Sequence, residues 1–188
     1  KGNLVNRATQ GQYTPGSVFK IITAASALRY IEGIDEREFD CSGSYEYNNV
    51  TVNDYQNKVH GTLDLSQAMA VSCNTTFAKL GVELGSKRLG KTAEDFGFNE
   101  DFLFKDLIVY NSSFNPSTSK DSGSIAWAAV GQDKDIVTPL HMAMIVSSIA
   151  NKGVMMEPKL IKAVKNIRGY EFIRLQPQAF RKPVSEEV

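Results

Sequence analysis

The strongest apolar run in the chain is TPGSVFKIITAASAL, residues 14–28, where a Pro15-Gly16 turn leads into Ile21, Ile22, Ala24, Ala25, Ala27 and Leu28. Apolar positions on nearly every face predict a helix buried on most sides. Gly33 and Asp35 then break the pattern. Residues 39–60, FDCSGSYEYNNVTVNDYQNKVH, are rich in Asn, Ser, Tyr and Gly and predict loops carrying short strands. Helical periodicity returns in LDLSQAMAVS (63–72) and TTFAKLGVELG (75–85), and a further short helix over 86–96 is expected to stop near Gly97. Residues 109–124 are polar and aperiodic, a loop long enough to be functional or mobile. Thr138-Pro139 is an N-cap and N1 pair for a helix that stops around Gly153. Past Glu157, KLIKAV and YEFIRL flank Arg168-Gly169, the pattern of a hairpin.

The 188 residues suffice for one domain with a hydrophobic core. Acidic and basic residues number 21 each, and a net charge of zero gives no sign of a nucleic-acid or anionic-membrane partner. No apolar stretch approaches the roughly 18 residues of a membrane span, and the first residues, KGNLVNRATQGQY, are polar. The two cysteines, Cys41 and Cys73, lack C-x-x-C spacing, and the only histidines are His60 and His141. That pattern argues against a zinc site and places neither histidine in a local nucleophile motif.

The opening helix carries Ser17 in its first turn and Lys20 three residues later. Ser17 could be an N-cap. A capping box would place Glu or Gln at Lys20, however, and a cation in the first turn opposes the helix dipole. The chemical reading uses both residues. Positions i and i+3 share a helical face, so Ser17 Oγ and Lys20 Nζ can meet. Apolar surroundings near a positive helix end would lower the lysine pKa, and a neutral amine could take the serine proton during attack on a carbonyl. S-x-x-K is a known acyl-transfer signature.

Two further motifs compete. GSKRLGKT, Gly85 to Thr92, fits the letters of a phosphate-binding loop, which must follow a strand and open a helix. Here a helical pattern precedes it, so its basic residues read more naturally as a solvated helix face. The other is Ser72-Cys73-Asn74, between two predicted helices. Ser72 or Asn74 could cap the helix starting at Thr75. Alternatively, the Ser72 hydroxyl could relay protons to a leaving group while the Asn74 carboxamide binds substrate backbone.

With S-x-x-K followed by S-x-N, the chain resembles the transpeptidase domain of class B penicillin-binding proteins, related in fold to the serine β-lactamases. The resemblance runs through LVNRATQGQYTPGSVFK, HGTLDLSQAMAVSCNTTFAKLGVELG and GQDKDIVTPLHMAMIVSSIANKG, the last beginning at Gly131-Gln132. It implies an α+β fold, with Ser17 as acylated nucleophile, Lys20 as its base, Ser72 as proton relay and Asn74 as binder of the substrate's peptide amide. The Ser17 backbone N–H would be one oxyanion-hole donor. Cys73 stands where S-D-N versions of the motif have Asp.

The reaction implied is D,D-transpeptidation: attack on a D-Ala-D-Ala stem peptide, release of D-Ala and aminolysis of the acyl-enzyme. It needs no metal or organic cofactor. Implied partners are peptidoglycan stem peptides, β-lactam antibiotics as mimics, and a membrane glycosyltransferase, at the outer face of the cell membrane. No counterpart of the deacylating glutamate of class A β-lactamases is visible, which argues against β-lactam hydrolysis. The third family motif, K-T-G or K-S-G, is also missing. Residues 1–188 are therefore expected to be an α-rich central part of the domain, with the anchor, the pedestal and most of the antiparallel sheet outside it, and weak in activity by itself. A β-lactam sensor domain of the same fold is the alternative, and nucleotide binding through Gly85–Thr92 a remote one.

Overall fold

The computed structural model describes residues 4–117 and 123–188, so part of the 109–124 loop, residues 118–122, lies outside the described residues. Its helices are α1 (Arg7–Gln10), α2 (Lys20–Tyr30), α3 (Leu65–Ala70), α4 (Asn74–Phe96), α5 (Ser124–Ala128) and α6 (Pro139–Ala150). A 3₁₀ turn, Gly16–Phe19, leads directly into α2. The strands are β1 (Phe39–Cys41), β2 (Ser44–Tyr47), β3 (Val50–Asn53), β4 (Gly61–Leu63), β5 (Met155–Met156), β6 (Ala163–Lys165), β7 (Glu171–Arg174) and β8 (Ala179–Arg181). They form antiparallel pairs β1–β4, β2–β3, β5–β8 and β6–β7. The fold is α+β and rich in helix.

The core lies where α2 crosses α4. Ile22, Ala25 and Ala27 of α2 and Phe77, Ala78, Leu80, Leu89, Ala93 and Phe96 of α4 are all buried. The alanines that make α2 apolar all round also let it sit in the centre, because small side chains permit close helix approach. Phe19, just ahead of α2, stacks on Phe114 at 5.0 Å between ring centroids and meets Phe98 edge-on at 5.6 Å. These rings anchor the turn that carries Ser17.

α4 holds the two helices expected over 75–85 and 86–96, with the break at Gly85, whose φ of 71° and ψ of 167° interrupt the helix. Only glycine takes that conformation cheaply. The second half ends at Gly97, φ 107°, in a left-handed cap. This placement overturns the phosphate-loop alternative. Gly85–Thr92 follows a helix rather than a strand, Lys91 pairs with Asp95 at 2.5 Å, and buried Thr92 bonds Ser26 at 3.1 Å, so the lysine and hydroxyl that such a loop would turn to phosphate are engaged elsewhere.

Thr138 caps α6 through its hydroxyl, which accepts from the His141 amide at 3.2 Å, with Pro139 at N1. The Arg168-Gly169 hairpin forms between β6 and β7. Helices α1 and α5 and the β5–β8 pair had no clear periodic signal. All are five residues or shorter, too few for a period to show.

Candidate active site

Ser17 lies in the 3₁₀ turn and makes no capping bond. One turn on, Lys20 is fully buried beneath it at the start of α2. Its ammonium meets four oxygens: the Ser72 carbonyl at 2.6 Å, Asn74 Oδ1 at 2.6 Å, Ser72 Oγ at 2.9 Å and Ser17 Oγ at 3.3 Å. The Phe77 ring centroid is 5.7 Å from Nζ. An ammonium has three protons for these four acceptors. The longest contact, to Ser17, is the one that can reverse: once the amine is neutral, its lone pair can accept the serine proton. Burial lowers the Lys20 pKa to about 8, against an opposing pull from the charge of Asp54. About a fifth of the population is then neutral at pH 7.4.

The turn between α3 and α4 is built to present its side chains. Asp64 caps α3 through a capping box with Gln67. At the other end of α3, the Ser72 amide donates to Met69 O at 3.0 Å and the Cys73 amide to Ala68 O at 2.9 Å, the paired bonds of a Schellman motif. Ser72 thus occupies the left-handed position, φ 56°, that glycine usually fills. A β-carbon is tolerated there at a cost in strain, and its hydroxyl reaches Lys20.

Neither Ser72 nor Asn74 caps α4. The cap is Cys73, whose sulfur accepts from the Thr76 amide at 3.3 Å, so the capping alternative for Ser72 and Asn74 is corrected. Asn74 Nδ2 instead donates to the Asn53 carbonyl at 2.7 Å, and its backbone N–H donates to Asp54 Oδ1. Its amide is therefore oriented, with oxygen toward Lys20, and it is only half-buried.

A third segment closes in from the other side. The Gly16 amide donates to the Gly131 carbonyl at 2.8 Å. A β-carbon on Gly131, whose φ is +73°, would lie 2.2 Å from Gly16 O and 2.7 Å from the Phe19 β-carbon. Glycine is required for this close approach. The fold therefore joins Ser17, Lys20, Ser72 and Asn74, the four residues that the motifs single out, from two sequence segments, and a third segment at Gly131 packs against them.

Sequence reasoning missed Asp54, Cys41 and His60. Asp54, buried after β3, orients Asn74 and also accepts from Thr75 Oγ1 at 3.1 Å. Cys41 and Cys73 are joined by a disulfide across 32 residues, Cα–Cα 6.7 Å. Around them the ligand atoms of Cys41, Asp54, His60 and Cys73 lie within 4.8 Å of one another. The sequence spacing did not anticipate this convergence, because each of the four comes from a different element. No local motif could have revealed it.

His141 is a core residue. Its Nδ1 is 2.7 Å from Ser112 Oγ and its Nε2 2.9 Å from Phe96 O, and burial lowers its pKa to about 4. The imidazole is neutral, with Nε2–H donating to the carbonyl.

Residues 1–188 match the penicillin-binding protein transpeptidase domain family. The chain belongs to that family, on the class B side. More particularly, it is 30% identical over 98% of its length to the peptidoglycan D,D-transpeptidase PbpA of Mycolicibacterium smegmatis, covering 38% of that protein. Identity to the peptidoglycan D,D-transpeptidase MrdA of Acinetobacter baumannii is 28% over 89% of the chain and 26% of the relative. Among solved structures, the D,D-transpeptidase domain of a peptidoglycan glycosyltransferase from Eggerthella lenta superposes with a TM-score of 0.86 at 35% identity, covering all of this chain and 48% of that one. The penicillin G acyl-enzyme of penicillin-binding protein A from Mycobacterium tuberculosis gives a TM-score of 0.87 at 28% identity, covering 98% and 43%. The chain spans about a quarter to two-fifths of the length of these curated relatives. Among the described residues, no helix is long and apolar enough to cross a membrane.

Proposed function

We propose that this domain acts as a peptidoglycan D,D-transpeptidase with Ser17 as nucleophile, and that β-lactams acylate the same oxygen. The observation that carries the reading is the single buried amine of Lys20 within reach of Ser17, Ser72 and Asn74. Neutral Lys20 takes the Ser17 proton as Oγ attacks the penultimate D-Ala carbonyl. The Ser17 amide, in a first turn with no intrahelical acceptor, meets the growing oxyanion. Ser72 passes a proton from Lys20 to the departing D-Ala amine, and Asn74 holds the substrate's peptide amide. Attack by the amine of a second stem peptide then reverses the proton path and releases Ser17. Such positioned acid–base catalysis supplies about 10²–10⁴-fold.

The names of the relatives support transpeptidation, and the penicillin G acyl-enzyme of the Mycobacterium tuberculosis protein supports β-lactam attack. The proposal places the whole protein at the outer face of the cell membrane, beside a glycosyltransferase. Treatment of the full-length protein with labelled penicillin, followed by peptide mapping, tests the assignment. The adduct is expected on Ser17 and absent from Ser17→Ala. An adduct on Ser72 would exchange the two roles.

A further inference from the structure

The segment Lys159 to Arg174, KLIKAVKNIRGYEFIR, carries five cations and one acid, a local excess that the zero net charge of the whole chain hides. Lys159, Lys162, Lys165 and Arg168 recur at every third residue, with aliphatic side chains between them. β6 and β7 pair only with each other, and all their residues but half-buried Ala163 are exposed. Val164 and Ile173 sit opposite one another in the ladder and are each about half exposed, while Tyr170 and Phe172 are each 70% exposed. The turn between the strands is firmly built. Asn166 Oδ1 accepts from the Arg168 and Tyr170 amides at 2.9 and 3.0 Å, and Gly169 takes a φ of +85°. Its apex nonetheless holds fully exposed Ile167, where glycine, proline or a polar residue is usual. So much apolar surface on a free hairpin marks a contact.

The charges around the hairpin decide what it contacts. Another pair of exposed apolar side chains, Leu103 and Ile108, has Glu100, Asp101 and Asp106 as chain neighbours and only Lys105 against them. At the hairpin the balance is reversed. Arg174 is paired, with Glu171 at 2.6 Å, but Lys162, Lys165 and Arg168 form no ion pair among the described residues. Free cations interleaved with aliphatic and aromatic side chains suit an anionic phospholipid surface. The apolar groups enter the boundary between headgroups and acyl chains, and the lysine and arginine stems carry their charges back to the phosphates. A neutral apolar protein surface would leave these cations uncompensated, and a carboxylated glycan or peptide would leave the aliphatic apex in water.

We propose that the β6–β7 hairpin docks on an anionic phospholipid bilayer, with Ile167 deepest and Lys162, Lys165 and Arg168 on the headgroup phosphates. The contact orients the domain against the bilayer, and no residue of the Ser17 site takes part in it. It rests on the proposed function only for the placement at the outer face of the membrane. Penicillin labelling of Ser17 therefore succeeds or fails independently of it.

The test is a nitrobenzoxadiazole label at Ile167→Cys in the full-length protein, reconstituted into phosphatidylcholine vesicles with or without about 30% phosphatidylglycerol. The unsubstituted protein is the blank, and a label at Leu103→Cys controls for exposed apolar surface alone. Blue-shifted emission and quenching by nitroxide-bearing lipid are expected at position 167 in anionic vesicles, and at neither position in neutral ones. Each cation near the surface adds about fivefold to affinity, so Lys162→Gln, Lys165→Gln and Arg168→Gln together should weaken docking about 100-fold and abolish the quenching. Salt at about 0.5 M should do the same without any substitution. Circular dichroism checks that the triple variant is folded. A label at 167 that stays in water in anionic vesicles would overturn the proposal. So would equal quenching in neutral vesicles or at Leu103→Cys, or quenching that survives in the folded triple variant. A label shielded from water but not quenched by lipid would give the hairpin a protein partner in place of the bilayer.

Discussion

Lys20 and Asp135 are both sealed from water, at 0% and 1% exposure, and the two regions that hold them touch through the Gly16–Gly131 hydrogen bond. Their surroundings differ completely. Lys20 has four oxygens around one ammonium. Neither carboxylate oxygen of Asp135 has a hydrogen-bond partner among the described residues. Burial therefore lowers the Lys20 pKa only to about 8, leaving the amine able to exchange a proton near neutral pH. Burial raises Asp135 to about 8, reinforced by the charge of Asp133, while the Asp133 amide gives weak relief without reaching hydrogen-bond geometry. One buried group is satisfied in either protonation state. The other is tolerable only when neutral. A buried ionisable group with a full set of partners suits chemistry, and one without partners is a stability liability.

The largest effect expected from breaking this contrast is at Lys20. Lys20→Arg keeps a cation but cannot supply a neutral base, since guanidinium holds its proton throughout the accessible range. Acylation by a chromogenic β-lactam should fall about 10³-fold, close to the loss in Lys20→Ala. The wild-type rate should rise with pH through about 8 as the amine deprotonates, and this limb should vanish in both variants. An arginine variant within about tenfold of wild type would make Lys20 an electrostatic anchor only.

Asp135 gives the next effect, on stability. Its folded pKa of about 8 is above the ordinary 3.8. Its contribution to stability is therefore fully present below about pH 4 and lost as pH rises toward 8. Asp135→Asn removes this loss. The variant should gain on wild type by about 2–3 kcal/mol between pH 5 and pH 7, read from urea midpoints at the two pH values. A pH-independent difference would mean that Asp135 finds a partner in the folded protein.

The contrast between the two regions also explains what could be read in advance. Ser17 and Lys20 are three residues apart on a helix that announces itself by its apolar alanine-rich run, so their meeting follows from helical geometry. Ser72 and Asn74 were legible through their motif, but their freedom from capping was not. It depends on Cys73 taking the cap and on Ser72 accepting a left-handed backbone, neither of which has a local signature. The cluster of Cys41, Asp54, His60 and Cys73 left no trace, because strand pairing over long separations assembles it. Asp135 was equally hidden. It ends the short polar run GQDKD, yet it is buried beside Ile136, which pairs with Ser113.

The smallest effect concerns His141, which brings a third outcome of burial into the comparison. This ring has both nitrogens partnered, to Ser112 and Phe96. Protonation would put a second N–H opposite a hydroxyl that can turn to accept it, and would place a charge in a site with no counterion. Burial accordingly holds the pKa at about 4, below the ordinary 6.5, with Arg181 adding a smaller push in the same direction. The sign is opposite to that of Asp135. The stability that His141 contributes is present above about pH 6.5 and lost as pH falls toward 4. Between pH 7 and pH 5 the loss is about 2 kcal/mol. Over that interval it runs against the gain from Asp135, so these two groups largely cancel in the wild type. His141→Gln can still donate to Phe96 O and accept from Ser112, and it does not titrate. Its stability should therefore hold or rise on going from pH 7 to pH 5, by about 2 kcal/mol relative to wild type, whatever its absolute cost in packing. Urea midpoints for His141→Gln that follow the wild-type curve through that range would show that the imidazole charges in place without penalty.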